Sequence, residues 1–129
     1  MPLVRIDLDK SAPAERGRIV GEAVYDAMIS VANVPADDKF QIVTRHDAGE
    51  IVYPEAGYLG VAYTTDLVII QVTWNQGRSI EVKQAFYRKV AADVASKAGV
   101  RKEDVFISLV EVAKENWSFG NGEMQYGPK

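Results

Sequence analysis

A seven-residue stretch that occurs twice, 66 positions apart, constrains the fold more than any other feature of the chain. Val34–Phe40 reads Val-Pro-Ala-Asp-Asp-Lys-Phe and aligns with Val100–Phe106, Val-Arg-Lys-Glu-Asp-Val-Phe, with valine, aspartate and phenylalanine at equivalent positions. In both copies a helical pattern precedes the stretch and a strand pattern follows it. Such internal similarity indicates that the chain contains two copies of one supersecondary unit.

The first copy is predicted to begin with a strand, because Val4, Ile6 and Leu8 alternate with polar residues. A helix follows, for which we predict Ser11 as the N-cap and Pro13 in the first turn. Apolar residues then recur at three- and four-residue steps over about five turns and form one helical stripe: Ile19, Val20, Ala23, Val24, Ala27, Met28 and Val31.

The first helix is predicted to end before Asn33–Pro35, because proline pushes the preceding residue out of the helical region. Phe40, Ile42 and Val43 then predict a second strand, which turns and loop over residues 47–57 follow.

The second copy is centred on Leu67–Thr73, the most apolar run in the chain, which predicts a central strand buried on both faces. Trp74–Arg78 is predicted to form a turn. A second helix, capped by Ser79, runs to about Lys97 and is ended by Gly99. A last strand is predicted over Val105–Val110.

Two strand–helix–strand units of this kind predict an α/β (α+β) fold. We expect one domain over residues 1–129, with the repeats at about 2–60 and 66–129. The sheet should have four mainly parallel strands and both helices on one face. Since the other face has no cover of its own, we expect a homo-oligomer.

Composition excludes several classes of site. There is no cysteine, so disulfides, thiolate metal ligands and thiol nucleophiles are excluded, and the single histidine, His46, excludes a multi-histidine metal site. We expect His46 to be a solvated loop residue. A net charge of −3 and a pI near 5.2 argue against nucleic acid or an anionic membrane as the main partner. No signal or membrane-spanning pattern is visible, so a cytoplasmic protein is expected.

Pro2 stands directly after the initiator methionine and at the head of the first strand. Removal of Met1, which we expect, would make Pro2 a secondary amine at the chain terminus. The pKa of such an amine in an unperturbed peptide is about 8. Burial or a neighbouring cation would favour a neutral base, whereas a nearby carboxylate would keep the nitrogen protonated. Alternatively, Pro2 is merely a common second residue.

Pro2, the repeated units, Val34–Phe40, the turn Gln76–Ser79 and the tail segment Trp117–Gly120 together resemble the tautomerase superfamily. Within it, the chain is most similar to the malonate semialdehyde decarboxylase group. The resemblance covers essentially the whole chain. It implies a homotrimer of the tautomerase fold in which the amino-terminal proline is the catalytic acid or base, without metal or cofactor.

Residue by residue, the resemblance implies that Pro2 is catalytic, that Asp38 lies beside it, and that Arg78 binds the substrate carboxylate. It places Trp117 and Phe119 in the pocket wall. Each of these residues except Pro2 also has a structural reading. Arg78 would then be an exposed loop arginine, Asp38 a turn or cap residue, and the two aromatic residues would hold the tail against the core or a neighbouring subunit. Asp104, the counterpart of Asp38, lends the turn reading some support.

The decarboxylases of this group carry Arg-Pro-Arg at the turn, whereas Asn75–Arg78 keeps one arginine. Related dehalogenases place a histidine and a glutamate near positions where this chain has Ile29 and Trp117, so dehalogenation is not expected. The resemblance therefore implies decarboxylation of a small 3-oxo acid such as malonate semialdehyde, keto–enol tautomerisation, or both. The alternatives are a tautomerase of 2-oxo acids of the phenylpyruvate type, and a catalytically silent trimeric binding protein.

Overall fold

The computed structural model describes residues 2–128, which form a four-stranded sheet and two long helices. Strands β1 (Leu3–Asp9) and β2 (Phe40–His46) are parallel, β3 (Val68–Asn75) and β4 (Val105–Val112) are parallel, and β1 pairs with β3 antiparallel, in the order β2-β1-β3-β4. The two predicted β-α-β units are confirmed. Short 3-10 helices lie at Lys102–Asp104 and Lys114–Asn116. The two long helices are α1 (Arg16–Val31) and α2 (Ile80–Ala98).

The register between β1 and β3 shows how the two units are related. Arg5 pairs with Gln71, and these positions are separated by 66 residues, the spacing of the repeated stretch. An approximate twofold axis therefore passes through this pair. Because β1 and β3 are antiparallel, equivalent positions of the two units lie at opposite ends of the sheet.

Both helices cover one face of the sheet, and the core lies between the helices and that face. Burial alternates along β3, so that Val68, Ile70 and Trp74 are buried while Gln71 is exposed. The prediction that this strand is buried on both faces was therefore wrong. The intervening residues face away from the helices, and apolar side chains such as Ile69 made the run look uniform in the sequence. The helices contribute their own buried residues, including Val20, Val24, Met28, Phe86, Val90 and Val94.

The face of the sheet opposite the helices carries large apolar side chains that remain accessible. Phe40, Ile42, Phe106 and Val110 are between 37% and 49% exposed, and the strand registers place all four on this open face. Isolated apolar residues are normal on a protein surface, but several on one sheet face favour a covering partner. The homo-oligomer stays a prediction.

The start of α1 differs from the prediction. A carboxylate oxygen of Asp9 accepts a hydrogen bond from the Ser11 amide at 2.8 Å, and the Asp9 carbonyl accepts one from the Ala12 amide at 3.1 Å. These bonds hold the segment in a turn, so the helix begins only at Arg16. The prediction that Ser11 caps the helix and Pro13 lies in its first turn was therefore wrong.

The other predicted helix ends are confirmed. The first helix ends at Val31, before Asn33, which has a positive φ of 58°. In α2, the Ser79 hydroxyl accepts a hydrogen bond from the Val82 amide at 3.2 Å. Gly99 ends α2 with a φ of 68°, a left-handed conformation that glycine adopts without steric cost.

No helix within residues 2–128 combines the length and the apolar character needed to cross a membrane. In the same part of the chain, acidic and histidine side chains form no group of three or more that could hold a metal ion.

Candidate active site

Four chain segments converge at one end of the sheet. Leu3, the first residue of β1, pairs with Phe40 at the start of β2 and with Thr73 near the end of β3. Asn75 at the end of β3 pairs with Val112 at the end of β4. The segments that border these strand ends therefore meet here, and they carry all five residues that the sequence singled out: Pro2, Asp38, Arg78, Trp117 and Phe119.

Pro2 is buried and lines a cavity of about 240 Å³ with aromatic walls. Phe40, Trp117 and Phe119 contribute rings to its lining. The rings of Trp117 and Phe119 stack, with centroids 5.5 Å apart and planes 13° from parallel. An apolar wall of this kind lowers the local dielectric constant, which strengthens any electrostatic interaction made by a group at Pro2.

A second cavity of about 340 Å³ contains Asp38 and shares Phe40 and Phe119 with the first. These two rings stack with centroids 6.3 Å apart and line both cavities. Asp38 is only 3% exposed. Pro2 and Asp38 therefore border adjoining cavities, which is the neighbourhood that the resemblance implied for them.

The environment of Asp38 disfavours its charged form. Burial raises the pKa of its carboxyl group above the ordinary value, and the charge of the neighbouring Asp37 adds to the rise. The turn that the sequence suggested at Asp38 is formed by its backbone, because the Asp38 amide donates a hydrogen bond to the Pro35 carbonyl at 3.1 Å. The turn therefore does not by itself account for the burial of the Asp38 side chain.

Arg78 lies at the same end of the sheet but outside the lining of both cavities. Its Nε donates to the Ala32 carbonyl at 3.2 Å and its Nη1 to the Asn75 carbonyl at 3.0 Å. The guanidinium carbon lies 4.3 Å from the ring centre of Trp74. Burial lowers the pKa of Arg78, and Glu111 partly offsets this, yet a guanidinium remains cationic at neutral pH. Carboxylate binding by Arg78 stays a prediction.

Asn75 connects the arginine to the aromatic wall. Its side-chain oxygen accepts a hydrogen bond from the Trp117 indole nitrogen at 2.7 Å, while its carbonyl accepts the one from Arg78. The sequence predicted a turn at Trp74 and Asn75, but both belong to β3. That prediction was wrong because the pairing with β4 extends to Val112 and prolongs both strands.

His46 was wrongly predicted to be a solvated loop residue. It is the last residue of β2, and its Nε2 lies 2.6 Å from a carboxylate oxygen of Asp7 on the open face. Because β2 begins beside Pro2 and ends at His46, the imidazole lies at the opposite end of the sheet from the two cavities.

Two tail residues that the sequence did not single out complete the second cavity. The Tyr126 ring packs edge-on against Phe119, with centroids 5.3 Å apart and planes at 80°. Gln125 accepts a hydrogen bond from the Phe119 amide at 2.9 Å and donates one to the Gly120 carbonyl at 3.0 Å. The tail was visibly aromatic and rich in glycine, but it has no periodicity from which these contacts could be predicted.

Comparison with known proteins places this arrangement in a family. The model of the tautomerase enzyme family matches residues 38–120. Among curated proteins, the probable tautomerase YusQ of Bacillus subtilis (strain 168) is 40% identical over 125 residues, which cover 97% of this chain and 98% of that protein.

Solved structures agree with this assignment. The FG41 malonate semialdehyde decarboxylase inhibited by 3-bromopropiolate is 42% identical, with a TM-score of 0.87 over 96% of this chain and 93% of that chain. A malonate semialdehyde decarboxylase described as having decarboxylase and hydratase activities is 31% identical, with a TM-score of 0.85 over 96% of this chain and 95% of that chain. The similarity therefore spans the whole fold, including the convergent end, and the chain belongs to the tautomerase superfamily of enzymes.

Proposed function

We propose that this chain is a cofactor-independent enzyme that uses the nitrogen of Pro2 for acid–base chemistry on a small oxo acid. Its leading reaction is decarboxylation of a 3-oxo acid such as malonate semialdehyde. One observation carries this proposal: Pro2 is buried in an aromatic cavity that adjoins the cavity of Asp38. The 42% identity to a malonate semialdehyde decarboxylase supports the choice of substrate.

In the proposed reaction, removal of Met1 exposes Pro2 as a secondary amine, and the nearby Asp38 carboxylate stabilises its cationic form. The cation donates a hydrogen bond to the 3-oxo oxygen while Arg78 holds the carboxylate. The bond between the carboxylate and the adjacent carbon breaks and CO2 leaves. The electron pair moves into the polarised carbonyl, whose oxygen takes the proton of Pro2 to give an enol. Addition of a proton from water to carbon and return of the hydroxyl proton to Pro2 then give the aldehyde.

Keto–enol tautomerisation of a 2-oxo acid is the second candidate. Here neutral Pro2 removes the proton next to the carbonyl and returns it at the other end of the enol. The similarity to a probable tautomerase supports this reaction, as does the turn before α2, which holds one arginine rather than two. The effect of Asp38 on the proline pKa favours decarboxylation instead. A catalytically silent binding protein would carry out neither reaction.

The first experiment combines mass spectrometry of the purified protein with assays on malonate semialdehyde and phenylpyruvate. We expect loss of Met1, and we expect Pro2→Ala to lower kcat/KM by about a thousandfold, the scale of general acid–base catalysis. Pro54→Ala, in a loop at the other end of the molecule, is the matched control and should retain activity. Retained Met1, or a Pro2→Ala variant as active as the wild type, would refute the enzymatic role of Pro2.

A second experiment tests the carboxylate-binding role of Arg78. We expect Arg78→Ala to raise KM by about tenfold or more, since a charge-assisted hydrogen bond is lost. Arg88→Ala, an exposed arginine on α2, is the matched control. Equal KM values for the two variants would remove Arg78 from the substrate site.

The protonation state of Pro2 separates the two reactions. An NMR titration of a ¹⁵N-labelled Pro2 nitrogen that gives a pKa well above neutral supports the acid role and decarboxylation. A value near or below neutral supports the base role and tautomerisation.

We also propose that the functional form is a homotrimer. The apolar residues of the open face support assembly, and Phe40 connects that face to both cavities. Light scattering should give three times the chain mass of 14.2 kDa. A monomer at assay concentrations that still turns over substrate would contradict this part of the proposal.

A further inference from the structure

The chain segment after Phe119 folds back over the Asp38 cavity and is fastened there. Besides the two bonds of Gln125, the Glu123 amide donates to the Gly120 carbonyl at 3.2 Å, and the Gly127 amide donates to the Met124 carbonyl at 3.0 Å. Gly120 makes the reversal with a φ of 132°, which side chains disfavour. The tail therefore holds Tyr126 in a defined position.

Tyr126 combines an anchored ring with an available hydroxyl group. The ring is held edge-on against Phe119, and the residue lines the same cavity as Asp38. Burial raises the pKa of the phenol, and the charge of Asp38 adds to the rise. The hydroxyl therefore keeps its proton through the neutral range and acts as a donor, not as a base.

Nothing within residues 2–128 accepts a hydrogen bond from this hydroxyl. The acidic group in this cavity is Asp38, and Pro2 lies in the adjoining cavity. A neutral hydroxyl at this position can donate a hydrogen bond to an oxygen atom of a small oxo acid, and it adds no second full charge to that of Arg78. Since the turn before α2 supplies one arginine, a further donor would also help to orient the substrate.

We infer that the Tyr126 hydroxyl binds a substrate oxygen from the Asp38 side of the site, while the Tyr126 ring holds Phe119 in the wall. This inference rests on the proposed function, because it requires that the two adjoining cavities together accept one small oxo acid. It assigns Tyr126 as a substrate-binding residue that determines specificity.

Tyr126→Phe tests the hydroxyl alone, because it retains the ring. The probe is 3-hydroxypropanoate, which has the carboxylate and the oxygen at carbon 3 but no carbonyl, so it cannot lose CO2 by the proposed route. Calorimetry should show about tenfold weaker binding to Tyr126→Phe than to the wild type, the effect of one lost hydrogen bond. Tyr58→Phe, a 63% exposed loop tyrosine, should bind like the wild type. Equal binding to Tyr126→Phe and the wild type, or no binding to the wild type, would overturn the inference.

Kinetics separate this inference from the proposed function. We expect Tyr126→Phe to raise KM by about tenfold while kcat changes by less than about threefold. If Pro2→Ala proves fully active, the proposed chemistry fails, but the calorimetric comparison still decides whether Tyr126 binds the probe.

An ultraviolet titration of the phenol provides an independent readout of the geometry. Asp38→Asn should lower the pKa of Tyr126 because it removes the neighbouring charge. Asp47→Asn, in a turn at the far end of the sheet, should leave it unchanged. An unaltered titration in Asp38→Asn would overturn the placement of the hydroxyl beside Asp38.

Discussion

The two ends of the sheet are related by the approximate twofold axis, yet their equivalent aspartates have opposite electrostatics. Burial would raise the pKa of Asp104, but hydrogen bonds from Arg101 and Thr64 outweigh that effect and lower it. The Thr64 amide donates at 2.8 Å and Arg101 Nε at 3.1 Å. Burial dominates at Asp38, and the pKa is raised. Asp104 therefore stabilises the loop that contains Thr64. Its hydrogen bonds do not support an equivalent structural role for Asp38.

The cavities at the two ends are also equivalent. One of about 240 Å³ lies beside the start of β3, matching the one beside Pro2 in volume. At the second end, however, the chain enters β3 from Leu67, so a peptide bond stands where the proposed removal of Met1 would leave an amine at the first end. The two cavities would therefore have similar walls but different groups at the start of the strand. The equivalent lining residues, 66 positions apart, are Leu3 and Ile69, Phe40 and Phe106, and Phe119 and Tyr53.

The two equivalent aspartates should differ most in their effect on activity. Asp38→Asn should lower kcat/KM by about a hundredfold, because Pro2 loses the carboxylate that stabilises its cation. Asp104→Asn should retain the wild-type value when both are assayed well below their melting temperatures. Steady-state kinetics of the two purified variants would contradict the assignment if both lost activity equally.

Stability should show the reverse pattern. Asp104→Asn should lower the free energy of unfolding by about 2 kcal/mol, because a buried network loses its charged acceptor. Asp38→Asn should leave stability unchanged or slightly raised at neutral pH, since a buried charge is removed. Denaturant unfolding at pH 7 measures both. A larger loss in Asp38→Asn than in Asp104→Asn would reverse the two roles.

The pH dependence of unfolding also distinguishes Asp38 from Asp104, because their pKa shifts have opposite signs. The lowered pKa of Asp104 contributes stability that is present above the ordinary value of 3.8 and is lost as the pH falls through the folded value. The raised pKa of Asp38 contributes stability that is present below 3.8 and is lost as the pH rises through the folded value. Acidification should therefore shrink the deficit of Asp104→Asn and remove any advantage of Asp38→Asn. Parallel stability curves for wild type and variants would disprove both shifts.

Asn75 should have a smaller effect, confined to the Pro2 end. Asn75→Ala removes the acceptor of the Trp117 indole, so we expect a loss of about 1 kcal/mol in stability and about a fivefold rise in KM. The control is Gln71→Ala, an exposed substitution on the open face of the same strand. Unchanged tryptophan fluorescence and KM in Asn75→Ala would show that the indole needs no such support.

The smallest expected difference separates the two helix starts. The Ser79 side chain caps α2, whereas Glu15 at the start of α1 makes no capping bond through its side chain. Ser79→Ala should cost about 1 kcal/mol and Glu15→Ala almost nothing. Thermal unfolding of the two variants is the measurement, and equal losses would mean that the cap contributes no net stability.

The repeat made the topology predictable, since the spacing of two strand–helix–strand units leaves few ways to pair four strands. The predictions that were wrong, for the start of α1 and the end of β2, failed for local physical reasons. The sequence does not show that the Asp9 carboxylate captures the Ser11 amide and delays α1, or that pairing with β1 carries β2 as far as His46.

The sequence singled out residues that meet at one end of the sheet, but it did not show the electrostatics of the two equivalent aspartates. Asp38 and Asp104 occupy equivalent positions in the repeated stretch, and the bonds that distinguish Asp104 come from Arg101 in that stretch and from Thr64, 40 residues away. Tyr126 lies in a tail without periodicity, so its contact with Phe119 depends on a fold-back that only the structure shows.

The pairing of Arg5 with Gln71 on the approximate axis has a consequence for engineering the chain. A circular permutant opened before Val68 would carry its new amino terminus at the second end of the sheet, beside an aromatic cavity that already exists. Its amine would meet Asp104, a carboxylate already engaged by Arg101 and Thr64. Such a permutant would test whether an amine in an aromatic cavity is sufficient for catalysis, or whether the amine also needs the environment of Asp38 rather than that of Asp104.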